Sequence, residues 1–425
     1  MRKPFLPFFA DLGVSFSRVQ GNARVIVLSQ PFWYIPFSLF FPYLTQYMLA
    51  LGLSNEQVGL INAISMIVGV VLSLFAGWVT DRLGRRRTTL ICDLISWAMA
   101  AALWALAQNF AWFVAAAVAN SFLRIISVSW NCCVVEGTPP EHRLNVFWWL
   151  NIIGTLSAFF TPLMALFMGA GDKAGLIAAM RIVLGVSAVL YAVSFLVRHR
   201  YLRESDIGVA RMQASRGTSP LQALVEYPKL FARVLSNPLL LCFLLIRTLF
   251  FVHNGIKGTY LSVAVVQGMG FGQETIGFIN LGAGLVMLAS QFLLLPRLQT
   301  LSPRKPLMIS LAALGLSFLL LVLAPARSVV SLLIYIVVSS GGVLVTGMLV
   351  DTLTANAMPD HDRSALLGVI SILIVGISAP FQYLCGWLAD LPGLGPRLPM
   401  LTIVALFAVC MVLLSGSGLG REKAQ

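Results

Sequence analysis

The residues best placed to do chemistry in this chain are the few ionisable ones set inside long apolar stretches. Arg124 lies midway between Trp112 and Val135, at the centre of such a stretch. Asn120, Arg124, Ser127 and Asn131 recur at i, i+4, i+7 and i+11, the spacing of one helix face. A later stretch carries Arg247, His253, Asn254 and Lys257, with Asn254 seven residues from Arg247 and predicted on its face. Tyr34, Asn151 and Gln382 add polar groups to three further stretches. A charge in hydrocarbon is costly, so each of these groups either lines a wet cavity or is satisfied by packing. For Arg124 the polar stripe favours the cavity over burial against backbone carbonyls. Lys257 reads equally as a cavity group or as a side chain snorkelling to the headgroups. Tyr34, Asn151 and Gln382 each read first as packing or interhelical hydrogen-bond residues, with binding as the further role.

Acids are sparse. Asp93 and Asp351 fall near span ends, where pairing with arginine-rich loops is the expected role. Cations therefore outnumber carboxylates in mid-span, and that chemistry suits an anionic or zwitterionic solute. A carboxylate or phosphate pairs bidentately with arginine, and Arg124 and Arg247 are the expected holders. His253 is the mid-span group able to carry a proton near neutral pH, which makes it the candidate for coupling.

The elements that must position these groups follow from composition. Of the 425 residues, 58% are hydrophobic and 11% charged, against roughly a quarter charged in a soluble domain, so the outer surface must face lipid. A helix needs about 20 apolar residues to cross a bilayer. Twelve such spans are predicted, at 24–49, 57–79, 88–107, 111–135, 147–169, 176–197, 239–265, 275–296, 306–324, 329–354, 365–388 and 398–415. The fold class is an all-α membrane protein with twelve transmembrane helices in two pseudo-symmetric six-helix bundles. The expected organisation is a cytoplasmic segment 1–22, a first bundle 23–198, a basic linker 199–237 with an interfacial amphipathic helix, a second bundle 238–416 and a tail 417–425. Pro31, Pro36 and Pro42 should kink span one.

The net charge of +13 follows the membrane rather than a nucleic acid. Of 29 Lys and Arg, Lys173, Arg181, Arg327 and Arg397 fall on or near one side, and Arg124, Arg247 and Lys257 lie within spans. The rest gather on the other side, which the positive-inside rule makes cytoplasmic, with both termini there. All six cysteines lie in apolar spans without ligand spacing, so neither disulfides nor a metal site are expected. No Ser/His/Asp set, His-rich motif or phosphate loop lies near a span end. Neither enzymatic activity nor a cofactor is expected, and a membrane enzyme or receptor is the least favoured class.

The two halves repeat each other. "VGLIN" at 58–62 returns as "IGFIN" at 276–280, an offset of 218, and Pro162 returns as Pro380 at the same offset. "PEHR" at 140–143 returns as "PDHDR" at 359–363. Internal repeats of this kind mark transporters whose solute site lies between the halves near the midplane.

Between spans two and three runs "GWVTDRLGRRRTTL". Gly77 permits close packing, Asp81 opens a polar turn, Gly84 allows unusual backbone angles, and Arg82, Arg85, Arg86 and Arg87 sit at headgroup level. A plain basic turn would explain the arginines but not their order behind Gly77 and Asp81. The string resembles the signature loop of the major facilitator superfamily, bacterial type, and the six-plus-six layout and "PEHR" extend the resemblance over nearly the whole chain. The resemblance implies a gating latch in which Asp81 meets the positive end of a helix in the other half and Arg85 or Arg86 reaches Glu136. The second-half counterpart, near Pro296–Pro306, lacks the pattern. "GTLSAFFTPLMALFMG" in span five keeps Gly154 and Pro162 of the superfamily's drug-antiporter motif, but Thr161 stands where a glycine is expected.

The expected function is therefore a secondary-active transporter in the cytoplasmic membrane, working by alternating access as a monomer on a small organic solute, with a proton or counter-anion as possible partner. A proton-coupled multidrug exporter of the same superfamily is the alternative.

Overall fold

The computed structural model of the protein describes residues 16–17, 19–168, 173–217, 219, 238–293, 304–356 and 363–416. Among the described residues there are twelve long helical rods. They are α1 (Gly21–Ala50), α2 (Asn55–Leu83), α3 (Arg85–Leu106), α4 (Phe110–Val135), α5 (Asn145–Met168) and α6 (Lys173–Tyr201), then α7 (Leu241–Gly268), α8 (Thr275–Leu293), α9 (Arg304–Leu323), α10 (Val329–Asn356), α11 (Arg363–Ala389) and α12 (Leu398–Gly416). A short linker helix, Asp206–Ala214, follows α6. The described residues contain no strand, as a chain whose backbone must satisfy itself in lipid requires. The amphipathic linker segment 221–237, the repeat copy at 359–362, and both predicted cytoplasmic ends lie wholly or mostly outside the described residues. So does most of the counterpart loop 296–306.

Each half has its own core. Tyr47, Phe113 and Tyr191 are fully buried in the first, and Phe318, Tyr335 and Phe407 in the second. The outward surface is the reverse of a soluble protein's. Leu166, Val412, Leu323 and Ile309 are each at least 69% exposed, which is stable only against lipid.

Several rods are interrupted, some of them at prolines. Pro31 and Pro42 mark the breaks of α1 into Gly21–Ser29, Pro31–Phe40, a 3₁₀ turn Phe41–Tyr43 and Leu44–Ala50, while Pro36 lies inside the second segment. Pro162 sits in a 3₁₀ segment, Ala158–Leu163, within α5. α3 and α7 carry π-helical turns at Leu94–Met99 and Ala264–Gly268. Arg397 closes the second of these, its guanidinium donating to the carbonyls of Gly268, Val322 and Ala324 at 2.6–3.0 Å. α4 breaks at a turn over Ser121 and Phe122.

The halves meet along α2 with α11 and along α5 with α8. The repeated glycines sit at these crossings. A Cβ on Gly59 would lie 2.5 Å from the Gln382 carbonyl oxygen and 2.7 Å from Tyr260 Oη. A Cβ on Gly277 would lie 2.8 Å from both Pro162 Cα and Tyr43 Oη. Each glycine thus receives a backbone segment and a tyrosine from the opposite half. The repeat is therefore a pair of matched contacts as well as a duplication.

Candidate functional site

At the end of the bundle carrying the "GWVTDRLGRRR" loop, the ordered polar string folds into a closed network. Gly84 takes φ +84°, a left-handed angle that favours glycine, and this turns the chain between α2 and α3. A side chain there would also strike Met212 and Glu204. Arg85, 4% exposed, donates from Nη1 to Asp81 at 2.8 Å and from Nε to Glu136 at 3.1 Å. Of the two arginines expected to reach Glu136, Arg85 is the one that does. Arg86 turns away, donating from Nε to the carbonyl of His199 at 3.0 Å. Arg82 reaches the Ser215 carbonyl and lies over the Trp78 ring.

Glu204 completes the network, and the sequence reading did not single it out. Its two oxygens accept from the backbone N–H groups of Arg85 and Arg86 at 2.8 and 2.9 Å, which caps the start of α3 with a negative charge. Ser205 donates to Glu136 and accepts from the Gly208 N–H, which ties the linker helix to the same cluster. The one available signal was the acid pair Glu204 and Asp206 at the start of a basic linker. Among the described residues Asp81 makes none of the cross-half contact that the resemblance implied. Its carboxylate meets Arg85 and its carbonyl accepts from Ser215, both on its own side of the molecule. Gly77 has open space where a Cβ would be.

The opposite end is sealed between the halves. Asp390, just past α11, accepts from the backbone N–H groups of Asn55 and Glu56 at 3.1 and 2.8 Å and from Asn55 Nδ2 at 2.8 Å. It places a carboxylate on the positive end of α2 from the other half. Tyr383 donates to Glu56 at 2.6 Å, and Asn62 donates to Thr259 at 3.1 Å. Gln382, 2% exposed, belongs to this seal, with its backbone carbonyl accepting from Tyr260 Oη at 2.8 Å and its side-chain Nε2 against Gly255. Asp390 and Glu56 were also not singled out, because nothing near them in sequence shows their partners.

Between the two ends stand the mid-span groups. Arg124 is half-buried and crosses over Gly69 of α2, where a Cβ would lie 3.3 Å from its Cγ and Nε. No acid pairs with it among the described residues. Asn120 leaves the predicted stripe. The break after it turns its amide to α3, where it donates to the Ser96 carbonyl at 2.8 Å. Ser127 and Asn131 stay on Arg124's helix, exposed and bonded to its backbone. Asn151 and Asn254 are likewise exposed on their helices, with Asn254 donating to the Phe250 carbonyl at 3.0 Å. Exposed amides in mid-span require water rather than lipid beside them.

Lys257 has no acid partner among the described residues. It lines a cavity of about 240 Å³ with Phe41 and Pro42 of α1, Asn254 of α7, and Ile276 and Asn280 of α8, so both halves contribute walls. Arg247 differs from the expectation that it stands free, because its Nη1 meets Asp351 at 2.7 Å. His253 also differs from a group open to a cavity. It is fully buried among the rings of Phe250, Phe318 and Phe407, within the second half. Tyr34 packs against Gly154, whose Cβ would lie 3.0–3.2 Å from the phenol. Asp93 pairs with Arg198, and both are buried.

Two six-helix halves that cross a membrane, seal against each other at one end and hold polar groups at mid-depth define a multi-pass solute carrier. Residues 27–379 match the family model of the Major Facilitator Superfamily, and the chain belongs to that superfamily. An uncharacterized MFS-type transporter, YqjV of Bacillus subtilis (strain 168), is 24% identical over 172 residues, which is 40% of this chain and 42% of that protein's length. Among solved structures, the nucleoside transporter NupG superposes with TM-score 0.70 at 15% identity over 94% of this chain and 99% of its own. A D-xylose-proton symporter gives 0.69 at 14% over 92% and 96%. The human organic anion transporter MFSD10 (TETRAN) gives 0.61 at 18% over 94% and 99%. At these identities the likeness is one of fold.

Proposed function

We propose that the protein is a secondary-active transporter that carries a small anionic or zwitterionic organic solute across the cytoplasmic membrane by alternating access. The reading rests on a contrast in charge pairing. Asp93 neutralises Arg198, Asp351 neutralises Arg247, and Asp81 and Glu136 neutralise Arg85. Arg124 and Lys257, in mid-span on opposite halves, have no such partner among the described residues. An unpaired charge away from water is strongly unfavourable, and a solute carboxylate or phosphate supplies the missing counter-charge. Lys257 takes the place first expected for Arg247. Asn131, Asn151 and Asn254 offer further hydrogen bonds along the wet faces, Tyr34 borders the path, and Gln382 lies in the seal that closes its end.

With the termini cytoplasmic, as the charge bias favours, the sealed end is the outer one. On that reading the protein is open toward the cytoplasm, since Asp81 has no contact with the second half among the described residues. In this state His253 is outside the solute path, which favours exchange for a counter-anion or uncoupled passage over proton transfer at that residue.

The test is ligand stabilisation of the purified protein by carboxylates, phosphorylated compounds, amino acids and lipophilic cations, repeated on Arg124→Gln. Hydrogen bonds to a charged group contribute about 1.5–3 kcal/mol, so the variant should lose roughly 10- to 150-fold in anion affinity. Stabilisation by lipophilic cations alone, or an unchanged anion affinity in Arg124→Gln, would overturn the reading.

A further inference from the structure

Inside the first half, between α1, α3, α4 and α6, lies a second cavity of about 220 Å³ that the cation pair above does not use. Trp33 and Tyr34 of α1, Trp97 of α3, Trp130 of α4 and Phe195 of α6 wall it, and the Asp93–Arg198 pair borders it. Trp97 comes from the π-helical turn Leu94–Met99, a distortion that recurs at functional sites. Asn120 is committed to that turn, since it donates to the Ser96 carbonyl. Two polar atoms of its lining residues, Gln30 Oε1 and Trp33 Nε1, have no partner among the described residues and are closed off from the cavity, and Gln30 is only 8% exposed. One is an unmet acceptor and the other an unmet donor, and leaving either unsatisfied costs stability.

We propose that this pocket is a subsite for a planar heteroaromatic group with a ring N–H beside a ring carbonyl. Once Gln30 and Trp33 turn these atoms toward the cavity, the N–H donates to Gln30 Oε1, the carbonyl accepts from Trp33 Nε1, and the tryptophan rings supply apolar walls. A cavity of about 150 Å³ takes up a benzene, so this one admits a single substituted ring. Ser127 is exposed and lines the same cavity one helical turn from Arg124, which gives an acid group on the ring a route to that guanidinium. Only this last link rests on the anionic reading above.

Isothermal titration of the full chain in lipid nanodiscs with three probes separates the two ideas. Orotate carries both ring and charge, uracil the ring alone, and cyclohexanecarboxylate the charge alone. Orotate should bind at least about ten-fold more tightly than cyclohexanecarboxylate. Gln30→Leu should abolish that advantage while keeping the weaker carboxylate binding. Trp33→Phe keeps a ring and deletes only the donor, so it should show the same loss if Gln30→Leu fails to fold. Equal binding of orotate and cyclohexanecarboxylate overturns the subsite and leaves the anion reading standing. So does an advantage that survives both variants. Equal binding of uracil and orotate, unaffected by Arg124→Gln, upholds the subsite and sinks the anion reading. No heat from either ring compound at millimolar concentration overturns the subsite.

Discussion

Adding one methyl group at each repeated glycine should open the sealed end. In Gly59→Ala the new carbon would stand 2.5 Å from the Gln382 carbonyl oxygen and 2.7 Å from Tyr260 Oη. In Gly277→Ala it would meet Pro162 Cα and Tyr43 Oη, both at 2.8 Å. Even a favourable C···O approach is about 3.3–3.6 Å, and the obstacles include backbone as well as tyrosine. Overpacking of this kind costs about 1–3 kcal/mol. Alanine also gains about 1 kcal/mol over glycine as a helix former. That gain is present in every conformation that keeps α2 and α8 helical, so it cancels from the equilibrium between them. Each substitution should therefore shift the sealed-to-open ratio by roughly 5- to 150-fold. The two sites share no partner, so the double variant should add the two shifts, about 2–6 kcal/mol. Spin labels at Gln108→Cys and Leu394→Cys, on a background without the six native cysteines, report the distance across this end by double electron–electron resonance. The parent should give one short distance, and the double variant mostly a longer one. An unchanged distribution in a folded double variant would refute the argument that these contacts hold the end shut.

Three further outcomes follow from the charge network. Glu204→Ala removes the cap from α3 and should cost about 0.5–2 kcal/mol, read as a lowered melting temperature; no change would mean that water caps the helix equally well. Asp93→Asn should destabilise by about 3–5 kcal/mol because it leaves buried Arg198 unpaired, while Asp93→Asn with Arg198→Met should cost less than the two singles summed. Strict additivity would count against coupling of that pair. Asp351→Asn should cost under about 1 kcal/mol, since the Asp351 carboxylate is 66% exposed and water replaces its contact with Arg247; a larger loss would show that Arg247 needs this partner as Arg198 needs Asp93.

Much of the architecture was legible because partition between water and hydrocarbon depends on short stretches of chain. The breaks of α1 are written in Pro31 and Pro42, and the tight turn at Gly84 in its glycine. The candidate site was legible only in part. Arg124 and Arg247 look alike in sequence, yet among the described residues one has no acid partner and the other meets Asp351, because α10 brings an acid to α7. The stripe through Asn120 assumed one continuous helix, and the turn at Ser121–Phe122 removed its first member. His253 looked open because a helical period cannot show that Phe318 and Phe407 close over it.

The sequence by itself determined a two-fold repeated, twelve-span membrane chain of the major facilitator superfamily, since hydropathy, charge bias and short motifs are properties of neighbouring residues. Only the tertiary structure decided which charges are neutralised and which end is shut. Asn55 and Asp390 are 335 residues apart, and Arg85 and Glu204 are 119 apart. Contacts of that span depend on where packed helices place their ends, and hydropathy carries no record of it.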